Sequence, residues 1–142
     1  MATSNAATTY LENKILSFIF KNYAGSFATP GDSIYVGLAT AVSDAEAGSL
    51  TEATFGSYAR QQVTAANWTL ASASTNQQTV VNAANIEFPA SSGTSNTVTH
   101  AFLVDAASSG NILFVGALDA SKTIATGDIF RINAGNLTIE LK

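Results

Sequence analysis

The chain holds one histidine, His100, set in the apolar run Val98–Val104. A serine triad needs a nucleophile, a base and an acid that orients the base. The nearest acid, Asp105, lies five positions further along the chain, and no G-x-S-x-G elbow is present. His100 is therefore expected to be a hydrogen-bonded structural residue. With 10 acidic residues some carboxylate pair is inevitable, so paired-carboxylate glycosidase chemistry finds no specific support. Asp44, Glu46 and Glu52 fall in one polar stretch, Ala41–Gly56, but lack the spacing of a calcium loop. There is no cysteine, hence no thiol nucleophile and no zinc–thiolate site. No phosphate-cradling G-x-x-x-x-G-K-[ST] occurs. The sequons Asn67-Trp68-Thr69 and Asn136-Leu137-Thr138 lie in or beside expected strands and read as chance. The expectation is of no catalytic, cofactor-binding or metal-binding residue: not an enzyme. Arg60, one of two arginines, is expected to pair bidentately with a carboxylate such as Asp105 or Glu87.

The elements that place these residues are mostly strands. Val98–Val104 and Ile112–Leu118 are apolar runs joined by the polar turn Asp105–Asn111. Runs this apolar fit central strands buried on both faces. Ile34–Thr40 is a further strand, in which Gly37 marks a bulge or a close backbone approach. Strands are also expected at Tyr58–Thr64, Trp68–Leu70, Thr79–Asn82 and Asn85–Phe88. Ile129–Asn133 and Leu137–Leu141 alternate in period two around Ala134-Gly135-Asn136, which predicts a terminal hairpin. Ala41–Gly56, Ala71–Gln78 and Ser91–Asn96 read as loops, and Asp119–Thr123 and Thr126–Asp128 as turns.

One helix is expected over residues 9–24. Thr9 and Glu12 have capping-box spacing, and Gly25 suits the C′ position. Leu11, Ile15, Phe18 and Ile19 form an apolar stripe that Leu16, Phe20 and Tyr23 widen, so cover on more than one side is expected. Residues 1–8 read as an arm. The whole, 1–142, is expected to be one domain: mainly β, an antiparallel β-sandwich, jelly-roll-like, of about eight strands with one N-terminal α-helix.

Composition narrows the function classes. Charged residues are 11% of the chain, against a usual share of about 25%. A surface this poor in charge resists self-association weakly. The net charge is −4, and no run of Lys or Arg exists, so nucleic-acid binding is not expected. No apolar run approaches the ~20 residues that span a bilayer, and residues 1–10 lack the pattern of a signal peptide.

Six short motifs in order carry a resemblance. They are Leu11–Leu16, Tyr35–Leu38, Tyr58–Val63, Ile86–Ala90, Val98-Thr99-His100 with Val104–Ala107 and Gly110–Leu113, and Gly127–Phe130 with Ala134–Ile139. In these the sequence resembles a family of small tailed-phage virion proteins, described as tail fibre or capsid decoration proteins. The resemblance implies a place in a virion and no chemistry. Its leading expectation is a cement protein on the outer head that bridges major-capsid subunits as a dimer or trimer. The contacts would fall on the arm Ala2–Thr8 and on Ala41–Gly56. The alternative is a fibre module recognising host glycan, with Tyr35, Tyr58 and Trp68 as candidate aromatic platforms.

Overall fold

The structure is a computed structural model that describes residues 5–21, 34–72 and 78–141. Its largest sheet contains six antiparallel strands. They are β1 (Ala6–Ala7), β2 (Tyr35–Asp44), β3 (Ser49–Glu52), β4 (Gln61–Gln62), β8 (Asn96–Val104) and β9 (Ile112–Ile124). The order is β1-β9-β8-β2-β3, with β4 also on β2. Val36 opposes Leu103, and Leu38 opposes Ala101. These four bury toward one core, while their alternates Ala39, Phe102 and Val104, with Val115, bury toward the other side. The near-continuous apolar runs are thus strands covered on both faces, as expected. Gly37 is the close approach: a Cβ there would sit 2.3 Å from the Phe102 ring. The aromatic ring lies where a side chain would otherwise be.

Two smaller antiparallel sheets close the principal core. One joins β5 (Trp68–Ser72), β6 (Gln78–Asn82) and β11 (Thr138–Leu141), and the other joins β7 (Ile86–Glu87) and β10 (Arg131–Ile132). Phe55, Tyr58, Phe88 and Phe130 pack ring to ring inside, at centroid distances of 5.2 to 6.0 Å. The fold is mainly β, antiparallel and sandwich-like, with one α-helix among the described residues.

The expected terminal hairpin does not form. Arg131 and Ile132 pair with Glu87 and Ile86, whereas Thr138–Leu141 pair with β6. Asn82, 1% exposed, is the reason. Its Nδ2 donates to Ala84 O and Asn133 O, and its Oδ1 accepts from Leu137 N. Its backbone carbonyl takes Gly135 N–H at 2.7 Å. The turn wraps this one side chain, and its two arms leave for different sheets. Leu137 and Ile139 nevertheless pack on the core, and Thr138 and Glu140 face out, as the alternation requires.

Three other expectations change. Ala41–Gly56 is no surface loop: β2 runs on to Asp44, turns, and returns as β3, with Ala53 and Phe55 buried beyond it. Asp119–Thr123 is not a turn but the far half of β9. Tyr58–Thr64 supplies only the two-residue β4, because Tyr58 and Arg60 are turned to hydrogen bonds off the ladder.

The helix α1 spans Thr9–Phe20. Its cap is Thr8, one residue earlier than the spacing predicts. The Thr8 hydroxyl accepts from Leu11 N at 3.4 Å and donates to Ile112 O at 2.6 Å. That second bond explains the shift, since it ties the cap to β9 while Ala6–Ala7 pair with Phe114 and Val115 as an edge strand. The expected arm is therefore docked from Asn5 to Thr8. Residues 1–4, the helix extension 22–24 and the Gly25 cap lie outside the described residues, as do 73–77 of the expected 71–78 loop.

Candidate functional site

Arg60 sits at the densest polar cluster. Its Nε and Nη2 donate to Glu52 Oε1 and Oε2, each at 2.7 Å. Its Nη1 donates to Ala106 O at 2.9 Å and Ser109 O at 2.7 Å. The guanidinium also lies over the Phe102 ring, 5.4 Å from the centroid. Tyr58 completes the network: its hydroxyl donates to Glu52 Oε1 at 2.8 Å and accepts Leu38 N–H at 2.9 Å. The bidentate pair is as expected, but its carboxylate is Glu52, not Asp105 or Glu87. The β2–β3 hairpin, which the sequence presents as a loop, carries Glu52 there. Glu87 pairs with Arg131 instead.

Burial alone would raise the Glu52 pKa, but hydrogen bonds from Arg60 and Tyr58, and the Arg60 charge, hold it below the usual carboxylate value. Burial, with the neighbouring Glu52 carboxylate, pushes the Tyr58 hydroxyl above its ordinary range. The Glu52 hydrogen bond raises Arg60, against the effect of burial. Every group in the cluster is committed to another. Its work is to pin the Asp105–Asn111 turn to the sheet.

The other candidate residues are not brought together. The His100 ring meets Thr99 Oγ1 at 2.8 Å, and burial lowers its pKa. Asp105 accepts from Asn111 N at 2.6 Å and Asn111 Nδ2 at 2.9 Å, clipping its own turn. Asp44 Oδ1 accepts from Glu46 N and Ala47 N, whereas Glu52 is bound to Arg60. Tyr58 is half-buried against the principal core, as is Trp68, whereas Tyr35 packs on the opposite face of the large sheet. Three aromatics on two faces make no common platform.

The far end of α1 is the largest departure from expectation. Leu11 alone is buried in this helix, and Ile15 is half-buried. Leu16, Phe18, Ile19 and Phe20 are 54%, 67%, 62% and 75% exposed. Residues step by about 100° around a helix. These four therefore face several sides, including the side that Leu11 and Ile15 turn to the core. The helix ends as an apolar rod beyond its own packing. No helix among the described residues is long and apolar enough to cross a membrane.

A family model described as Podophage GP4 fiber I protein gp80 matches residues 6–140. The chain belongs to this family. It is thereby a tailed-phage virion structural protein, associated with the virion. No curated protein matches it significantly. The gp80 family match opens at Ala6 in β1 and runs into β11, so it takes in the helix and every sheet described above. The uncovered end of α1 is legible as excess apolar width, although the expected cover from several sides is not met among the described residues.

Proposed function

We propose that the chain is a fibre subunit that works by binding alone, without catalysis, and that the apolar end of α1 is its attachment to neighbouring virion chains. The observation that carries this reading is the exposure of Leu16, Phe18, Ile19 and Phe20 on one short rod. Single exposed apolar residues are ordinary, whereas large contiguous apolar patches mark interaction sites. A helix apolar on all sides is normally buried. Burial in an assembly supplies what the fold leaves undone, and each such contact stabilises the assembled state by mass action. The family description favours a fibre over a head protein.

Decoration of the outer head, with major-capsid subunits and further copies of the chain as partners, is the second reading. The charged share of 11% favours it, since a surface so poor in charge suits a protein packed against neighbours. Of the contacts expected for it, Thr8 is buried, residues 2–4 lie outside the described residues, and the 41–56 segment keeps exposed residues along its strands. Immunogold labelling of intact virions separates the two. Label at the tail is the expected result, and label over the head lattice moves the protein to the capsid. A Phe18→Ser/Phe20→Ser double variant is expected to fold and to be lost from purified particles. Incorporation at wild-type level would overturn the attachment assigned to α1.

A further inference from the structure

Residues 5–21 are held to the rest of the chain as a separate peptide would be. β1 pairs with β9, Ala6 against Val115 and Ala7 against Phe114. Thr8 N–H donates to Leu113 O at 2.9 Å, and the Thr8 hydroxyl to Ile112 O at 2.6 Å. Thr9 N–H donates to Glu46 O at 2.9 Å, and Asn5 Oδ1 accepts Ala117 N–H at 2.6 Å. Each receiving group is a main-chain group of β9 or of the turn that joins β2 to β3, far along the chain. Every copy of the chain carries the same seat. The segment is also net basic, with Lys14 and Lys21 against Glu12, while the whole chain is −4, so it is attracted to that seat in any copy.

We propose that β1 and α1 are exchanged between two copies of the chain, each pair seated on the other copy's β9. Twelve residues, 22–33, separate Lys21 from Ile34. Their contour reaches at most about 40 Å, roughly the width of a domain of this size, so the connection spans to an adjacent copy. Exchange reforms the same bonds and forfeits only the local concentration that the connection supplies, which is of about millimolar order. What it adds is a neighbour for the helix end. In the closed chain Leu16, Phe18, Ile19 and Phe20 are more than half exposed. In a reciprocal exchange the two connections cross at the junction between copies, and the helix ends that lead into them lie there too. The inference names a second copy as a neighbour of α1 and so rests on the attachment reading above.

The chain has no cysteine, so introduced thiols are the only ones present. Asn5→Cys and Ala117→Cys alter two exposed positions that touch across the seat. Full-length chains carrying one substitution each are co-expressed, treated with a short bismaleimide and separated on denaturing gels. A covalent dimer holding one chain of each kind is expected, with none from either variant alone. A chain carrying both substitutions should likewise be joined to a second copy. Joining only within the doubly substituted chain, with no dimer from the mixture, overturns the exchange. If Phe18→Ser/Phe20→Ser is then still lost from particles, attachment through α1 stands without it. Dimers from the mixture, with that variant incorporated at wild-type level, support the exchange and remove the attachment.

Discussion

The β8–β9 hairpin and helix α1 are similarly rich in large apolar residues, yet the fold treats them oppositely. Ala101 to Val104 are all buried, each second residue serving a different core. In α1 only Leu11 is buried, and four large apolar side chains near its end are mostly in solvent. The hairpin's apolar surface is consumed by β2 and by the segments folded over both faces. The helix meets one strand edge and then runs past it. Apolar residues thus declare a need for cover, and only the fold says whether the chain meets that need itself.

Removing what fixes the hairpin should show the largest effect. Arg60→Ala strips Glu52 of its partner and frees the carbonyls of Ala106 and Ser109. Breaking a buried pair costs about 3–5 kcal/mol. Glu52 is 31% exposed, so the lower end, about 3 kcal/mol, is expected in urea unfolding. Loss below about 1 kcal/mol would mean that the turn holds without the clamp.

Gly37→Ala comes next. The added Cβ meets the Phe102 ring, which is 2% exposed and has little room to move. A cost of about 1–3 kcal/mol follows from overpacking of this kind. The companion Phe102→Leu should recover part of it, and failure to do so would place the strain in the backbone.

Acid should act on the hairpin side of the comparison in two steps. His100 and Glu52 both have folded pKa values below their ordinary 6.5 and 4.5. In each case the unfolded chain binds the proton more readily, so stability is complete above the ordinary value and falls as pH drops through it. Melting temperature measured from pH 8 downward should therefore slope gently below 6.5 and more steeply below 4.5. His100→Gln should remove the first slope and Glu52→Gln the second. A flat profile through both windows would contradict the assignment.

The smallest stability effect belongs to the helix end. Phe18→Ser/Phe20→Ser should change unfolding free energy by no more than about 0.5 kcal/mol, because neither ring is buried. A larger loss would show that these rings support the monomer, and the contrast with the hairpin would collapse.

Much of the fold was legible where one local signal decided it. The central strands, the Asp105–Asn111 turn and the close approach at Gly37 followed from apolar runs, turn residues and a lone glycine. Errors arose where a distant partner overrode the local pattern. Period-two alternation around Gly135 looked like a hairpin, but Asn82, over fifty positions earlier, takes the turn apart. Glu52 looked like one of three loop carboxylates because its strand is short and polar. The capping threonine was missed by one residue because Ile112 competes for it. Of the candidate site, the bidentate habit of Arg60 was readable and its partner was not.

The bond from the Thr8 hydroxyl to Ile112 joins residues 104 positions apart. During synthesis β1 and α1 therefore emerge long before the strand that receives them, and they wait while most of the sheet is made. Contacts of such sequence separation close late, after the entropy of a long loop has been overcome. For that interval the whole helix, including Leu11, is an apolar segment without a seat. In a polysome making many copies side by side, the interval in which a helix can meet a neighbouring chain opens before its own domain has closed.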